Sequence, residues 1–168
     1  GQTAHVQKRI RINGVAKRAA DLVGALGAVL FSADDIDLVL GSPQGRRRYL
    51  DVMLAQLGTR YVHTLQRYQR VLLQRNHLLR GLREGRAGEE ELTYWDQSLC
   101  TEGAAVLGVR FDAMERLQPL IAEAYRRLEG HGDLAGAYVA TVPFESRPTP
   151  QTLAEALAPS IHYAEHGI

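Results

Sequence analysis

The amino-acid sequence predicts a mainly α-helical protein with a few short strands, an α+β fold dominated by a long antiparallel helix pair. Two long stretches carry apolar residues at the alternating spacings of four and three that coiled-coil-like helices require. A short segment rich in Arg and Gly separates them, so the two helices should reverse direction and lie side by side. Strand-like patterns are confined to short segments nearer the two ends.

Three short segments have the composition of strands. Residues 6–12 alternate apolar and polar side chains, and the Asn13-Gly14 pair that follows is a strong signal for a tight turn. Residues 28–31 form a short apolar run typical of a buried strand. Residues 138–142 alternate and include β-branched side chains, so they predict a returning strand.

Two shorter helices are predicted between the first strands and the long pair. Ser32 has the position of an N-cap, and Asp34 and Asp35 lie in the first turn, where the helix dipole favours carboxylates. The break at residues 41–43 ends this helix and starts a second one, which runs to about residue 58.

The first long helix has a seam that consists of Tyr61, Leu65, Tyr68, Leu72, Arg75, Leu79 and Leu82. After a reversal at residues 81–88, a second helix is predicted from Glu89, with the seam residues Leu92, Trp95, Leu99, Phe111, Met114, Leu117, Ile121, Tyr125 and Leu128. Pro119 should kink or break this helix, because proline has no N–H group to donate. A last helix is predicted from residue 151 to about residue 166.

Composition narrows the class of protein. With 45% hydrophobic and 23% charged residues the chain has the composition of a globular protein, and its apolar runs are too short to cross a membrane. The single Cys100 fits a reducing compartment and is expected to be a buried structural thiol, so we expect a cytoplasmic protein. Because the chain starts without methionine and close to a strand-like segment, we expect a piece of a longer protein.

The two halves of the chain carry opposite charge. Residues 1–83 contain 14 Lys or Arg against 5 Asp or Glu, whereas residues 84–168 contain 6 against 14. The basic half could face a polyanion or an acidic partner. Alternatively, basic and acidic helices could pack side by side and neutralise each other, and charge counts alone do not separate the two.

No catalytic, cofactor or metal site can be assembled from the sequence. The phosphate-binding pattern Gly-x-x-x-x-Gly-Lys-Ser/Thr is absent. The cluster of Asp34, Asp35 and Asp37 follows an N-cap and is explained by the helix dipole. His162 and His166 lie four residues apart on a predicted helix but have no third ligand nearby.

The basic residues that are candidates for contact with phosphate or a partner are Arg46, Arg47, Arg48, Lys8, Arg9, Arg11 and Arg75. The arginine triplet opens a helix, where backbone N–H groups and the dipole favour phosphate, but at most one or two of the three can face the same way. The alternative is an ion pair with Asp35 or Asp51. Arg75, on the seam, needs a carboxylate partner or an opening in the helix pair, and setting the pairing register is its favoured role.

Residues 29–51 read VLFSADDIDLVLGSPQGRRRYLD, and this run closely resembles the RecF family. That family shows Phe, Ser or Ala, Pro and Glu-Asp, followed by Gly-x-Pro-x-x-Arg-Arg-x-Phe/Tyr-Leu-Asp. Residues 5–18 and 68–79 resemble the neighbouring stretches of the family, and the similarity is looser beyond residue 85. Ala33 stands where the family favours proline.

The resemblance implies the arm region of an ABC-type ATPase of DNA replication, recombinational repair and the SOS response. For the whole protein it implies ATP and Mg²⁺, an ATP-dependent homodimer, single-stranded or gapped DNA, and action with RecR and RecO to load RecA. The Walker A loop would lie upstream, and the signature and Walker B motifs downstream. This chain is therefore expected to be non-catalytic.

Under this interpretation residues 1–42 belong to the ATPase head or its junction, residues 43–130 form the helical arm, and residues 131–168 return through a strand and a helix. The alternative function is a helical protein–protein adaptor without nucleic-acid binding. Binding to DNA that weakens steeply with salt would favour the first, and salt-insensitive binding to an apolar helix the second.

Overall fold

The computed structural model describes residues 9–22, 25, 27, 29–30, 32–86, 88, 90–142 and 147–165, without the side chains of residues 19–20 and 158–165. The chain divides between Val62 and His63 into two compact units. The division predicted at residues 42 and 130 stays a prediction. Across the described part of the chain, no helix is both long and apolar enough to span a membrane.

A β-hairpin opens the described part of the first unit. Strand β1 (Ile10–Ile12) pairs antiparallel with β2 (Val15–Lys17). Asn13 and Gly14 connect them with positive φ angles of 51° and 80°, as a type I′ turn requires. The predicted strand is confirmed from Ile10 to Ile12 and the turn at Asn13 and Gly14. Residue 9 lies outside the strand, residues 6–8 lie outside the described residues, and β2 was not predicted.

The buried strand predicted at residues 28–31 is wrong at its two described positions. Helix α1 (Ala19–Leu22) precedes this segment. Val29 and Leu30 belong to no strand and are 97% and 86% exposed. A short apolar run forms a strand only where another strand offers hydrogen bonds, and β1 and β2 pair with each other alone within the described residues.

Three helical segments follow: a 3₁₀ turn at Ala33–Ile36, α2 at Asp37–Leu40 and α3 at Pro43–Leu57. Ser32 and Asp35 form a capping box at the start of the first, in which the carboxylate of Asp35 accepts from the backbone N–H of Ser32 at 2.6 Å. The hydroxyl of Ser42 caps α3 by accepting from the N–H of Gly45 at 3.4 Å. Both predicted helix starts are confirmed.

The second unit is built on the predicted antiparallel helix pair. Helix α4 (Thr59–Arg83) begins a few residues before the start of this unit, and helix α5 (Glu90–Glu129) is the next helix along the chain. At 1.5 Å per residue, the two helices are about 37 and 60 Å long. Arg67 pairs with Glu102 at 2.9 Å, and Arg75 further along α4 pairs with Asp96 earlier on α5. The arginine with the higher number on α4 thus pairs with the acidic residue of lower number on α5, so the two helices run antiparallel.

Gly85 ends α4 and starts the reversal. Its N–H donates to the carbonyl of Leu82 at 3.0 Å, and the N–H of Arg86 donates to the carbonyl of Gly81 at 2.8 Å. This pair of bonds is the Schellman motif, and it requires a left-handed residue, which Gly85 supplies with φ of +68°.

Replacing Gly85 with alanine should lower the free energy of unfolding by about 1–2 kcal/mol, because a Cβ atom makes the left-handed conformation unfavourable. Urea denaturation followed by circular dichroism measures the change. Gly85→Asn is the matched control and should lose less, since asparagine tolerates this conformation. Equal stability of the alanine variant and the unaltered protein would contradict the motif.

Helix α5 continues through Pro119, so of the two predicted outcomes the break is wrong and the kink stays a prediction. Proline removes one N–H and displaces the carbonyl four residues earlier, which here belongs to Glu115. Both residues are exposed, so water can satisfy that carbonyl without ending the helix.

The buried side of α4 is broader than the predicted seam. The seam leucines of α4 are only half-buried, whereas the neighbouring Thr64 and Leu78 are 8% exposed. On α5, Leu92 and Val106 are buried as the centre of the core, but the predicted seam residue Leu128 is 84% exposed and lies outside it. On α5, a seam predicted for one helix pair does not cover the whole buried surface, because α6 (Pro150–Glu165) also packs on this helix.

The three helices meet at Gly103 of α5. A Cβ atom at this position would lie 2.9 Å from Cδ2 of Leu153 on α6 and 3.5 Å from the ring of Tyr68 on α4. Glycine at this position lets Leu153 approach more closely than a Cβ atom would allow, whereas the distance to the tyrosine ring is that of an ordinary contact. Leu153 is accordingly 4% exposed.

The predicted strand at residues 138–142 is wrong, since this segment is irregular. Side chains of α5 hold it instead: Phe111 packs edge-on against Tyr138 with ring centroids 5.4 Å apart, and Arg110 donates to the hydroxyl of Tyr138 at 2.9 Å. Gln118 accepts from the N–H of Gly136 at 2.7 Å. Within the described residues, β1 and β2 pair only with each other, so this β-branched segment has no strand beside it.

Candidate nucleic-acid interface

The structure uses Arg46 to close the end of α2. One nitrogen of its guanidinium, Nη1, donates to the carbonyl of Gly41 at 2.8 Å and lies 3.4 Å and 3.5 Å from the carbonyls of Leu38 and Val39. A cation at this helix end satisfies free carbonyls and complements the dipole. The geometry gives Arg46 a structural contact that sequence reasoning did not identify.

Arg47 and Arg48 are left without such a contact. Arg47 is half-buried and Arg48 is exposed, and neither side chain has a hydrogen-bond or ion-pair partner within the described residues. Asp51, a predicted partner of the triplet, accepts from the hydroxyl of Tyr61 at 2.6 Å. Asp35, the other predicted partner, accepts from the backbone of Ser32.

The hairpin supplies two of the predicted basic residues. Arg9 precedes β1 and Arg11 lies within it, and both side chains are exposed. No hydrogen bond within the described residues connects them to the triplet. Lys8 lies outside the described residues.

Arg75 pairs with Asp96 across the helix pair, and their side chains are only 12% and 16% exposed. Sequence reasoning predicted that a seam arginine needs either a carboxylate or an opening in the helix pair, and the structure supplies a carboxylate from the facing helix. The pair forms only when Arg75 of α4 lies opposite Asp96 of α5, so it favours this alignment of the two helices over a shifted one.

Charge is distributed unevenly over the helix pair. Helix α4 contains six arginines, two histidines and no carboxylate, whereas α5 begins with Glu90 and Glu91. The Arg67–Glu102 and Arg75–Asp96 ion pairs neutralise part of this charge. Such neutralisation between packed helices is one of the two interpretations that the charge counts left open. Arg70, Arg80 and Arg83 remain exposed, and no carboxylate of the described residues pairs with them. Sequence reasoning missed these three arginines, although the absence of acidic side chains over 25 residues could have identified them as candidates.

Cys100 is buried at 4% exposure, as predicted, and burial raises the pKa of its thiol, with the Asp96 carboxylate adding to the shift. The thiol therefore stays protonated and weakly nucleophilic. Three or more metal-ligating side chains do not cluster anywhere in the part of the chain that is described. The side chains of His162 and His166 lie outside that part.

Comparison with known proteins gives one consistent result, although no family model matches the sequence. The "DNA replication and repair protein RecF" of Herpetosiphon aurantiacus is 45% identical over 153 residues, which are 89% of this chain and 40% of that protein. RecF of Chloroflexus aggregans is 43% identical over 156 residues, covering 90% and 40%. The chain thus spans about 40% of the length of these curated relatives.

Solved structures agree with the sequence comparison. The chain superposes on the "recombination mediator protein RecF-ATPrS in RecFOR pathway" with a TM-score of 0.83 and 25% identity, covering 95% of this chain and 43% of the other. A second structure of that protein, with ATP, gives a TM-score of 0.81 at the same identity.

Proposed function

The chain belongs to the RecF family, and from this premise we propose that it supplies the helical arm of a RecF-type, ATP-dependent DNA-binding protein. The whole protein would act in the cytoplasm in recombinational repair, replication and the SOS response, with RecR and RecO, to load RecA at gapped DNA. It would dimerise when ATP binds.

The observation that carries this proposal is 45% identity over 89% of the chain, far more than a shared helical fold produces by itself. The charge on α4 supports it, because arginines without acidic neighbours are suited to a phosphate backbone. Arg47, Arg48, Arg9 and Arg11 stay candidate contacts.

The arm would have no catalytic role of its own. ATP and Mg²⁺ would bind in the part of the relatives that this chain does not span, since the sequence contains no phosphate-binding loop. The arm's contribution would be to position DNA or a partner relative to that site.

A segment exchange tests the function. The matching segment of Herpetosiphon aurantiacus RecF is replaced by this chain, and the hybrid is expressed in cells that lack RecF. We expect the hybrid to restore survival after ultraviolet irradiation, because the conserved segment should retain its contacts. A hybrid with Leu92→Asp, which places a charge in the core of the arm, is the matched control and should not restore survival.

A hybrid that is folded and abundant but gives no protection would contradict the proposal. It would favour the helical adaptor instead. That alternative rests on the exposed Leu73 and Tyr94, at 66% and 64%, which offer apolar contact on the helix pair.

A further inference from the structure

The side of α4 that faces away from α5 carries a continuous exposed stripe. We call it the outer stripe, and it consists of His63, Gln66, Arg70, Leu73, His77 and Arg80. At roughly 100° per residue these six fall within about a third of the helix circumference. The buried Thr64 and Leu78 lie on the opposite side.

Helix stability explains only part of the charge of this stripe, because the helix dipole favours Arg80 in the last turn of α4 but not Arg70 in its middle. Arg67 and Arg70 are three residues apart, and like charges at that spacing destabilise a helix. Helix α5 shows the stabilising arrangement, since its Arg127 pairs with Glu123 one turn away. Helix α4 cannot form such a pair, because it contains no carboxylate.

The packing of the helix pair also leaves the stripe uncompensated. Arg67 and Arg75 turn toward α5 and pair with Glu102 and Asp96. Arg70 and Arg80 point away from these acids, and within the described residues neither has an ion-pair partner. They are ten residues apart, which is about 15 Å along the helix axis.

We propose that the outer stripe binds the phosphate backbone of nucleic acid, an inference that rests on the proposed function. Arg70 and Arg80 supply the charge. Gln66, one turn before Arg70, and His77, between the two arginines, supply hydrogen-bond donors for phosphate oxygens. The stripe carries no Phe, Tyr or Trp on which an unpaired base could stack. The contact is therefore electrostatic and independent of sequence.

The test uses the whole 168-residue chain and two labelled probes, a duplex and one of its strands alone. Fluorescence anisotropy gives the affinity over about 0.05–0.3 M salt. Arg70→Gln with Arg80→Gln should weaken binding roughly 10- to 100-fold at the low end and reduce the salt slope by about two. The probe type that shows this loss identifies the backbone as paired or single-stranded.

The matched control is Arg116→Gln with Arg126→Gln on α5, which changes the net charge equally and should weaken binding less than about threefold. Arg70→Lys with Arg80→Lys replaces the same two side chains but keeps both positive charges, so it should retain most of the binding. That result would attribute the loss in the glutamine pair to the missing charge and not to a change in folding. Equal loss in the α4 and α5 glutamine pairs, an unchanged slope, or no binding by the unaltered chain would each overturn the proposal. If the hybrid RecF still protects cells in that case, the family function stands and only the outer stripe is rejected.

Discussion

Replacing Asp96 with alanine should lower the free energy of unfolding by about 2–4 kcal/mol. The change leaves the Arg75 guanidinium, whose side chain is 12% exposed, between two helices without its carboxylate. An uncompensated charge at such a site costs more than the pair itself contributes, because the remaining group keeps its desolvation penalty. Urea denaturation of the variant and the unaltered chain measures the loss.

A double variant separates the ion pair from simple loss of packing. Arg75→Met with Asp96→Leu removes both charges and keeps apolar volume, so it should recover most of the stability lost in Asp96→Ala. If Asp96→Ala changes the unfolding free energy by less than about 0.5 kcal/mol, the ion pair does not form in solution. The register of α4 and α5 would then depend on apolar packing and on the Arg67–Glu102 pair.

Leu78→Ala should lower the free energy of unfolding by about 2–5 kcal/mol, since this side chain is 8% exposed and its removal leaves a cavity beneath α4. Leu73→Ala is the matched control on the same helix. Leu73 is 66% exposed, so its truncation should change stability by about 0.5 kcal/mol or less.

The same measurement on the predicted seam tests the breadth of the buried side. Leu72 and Leu79 are half-buried, and we expect their alanine variants to lose less stability than Leu78→Ala. A larger loss at Leu72 or Leu79 than at Leu78 would restore the narrower seam that the sequence periodicity predicts.

Local patterns predicted most of the helical architecture. The Asn13-Gly14 turn, the caps at Ser32 and Ser42, and the reversal before α5 all depend on residues a few positions apart. Backbone geometry and nearby hydrogen bonds decide such features, so a single sequence contains the information. The apolar periodicity likewise predicted two long helices, and the short reversal made them antiparallel.

The predicted strands show what local sequence patterns do not determine. Residues 29–30 and 138–142 have strand-like composition but no strand beside them in the described structure. Helix hydrogen bonds close within four residues, whereas a strand depends on a partner that can lie anywhere in the chain. Composition therefore identified the apolar segments without deciding their conformation.

The candidate site divides in the same way. The sequence by itself determined the basic half, the arginine triplet and the need of Arg75 for either a carboxylate or an opening in the helix pair. Only the tertiary structure decided that Asp96 is that carboxylate and that Arg46 turns back to close α2. It also decided that Arg70 and Arg80 face away from α5. These outcomes depend on which surfaces meet when distant segments pack, and the spacing of residues along one helix does not contain that information.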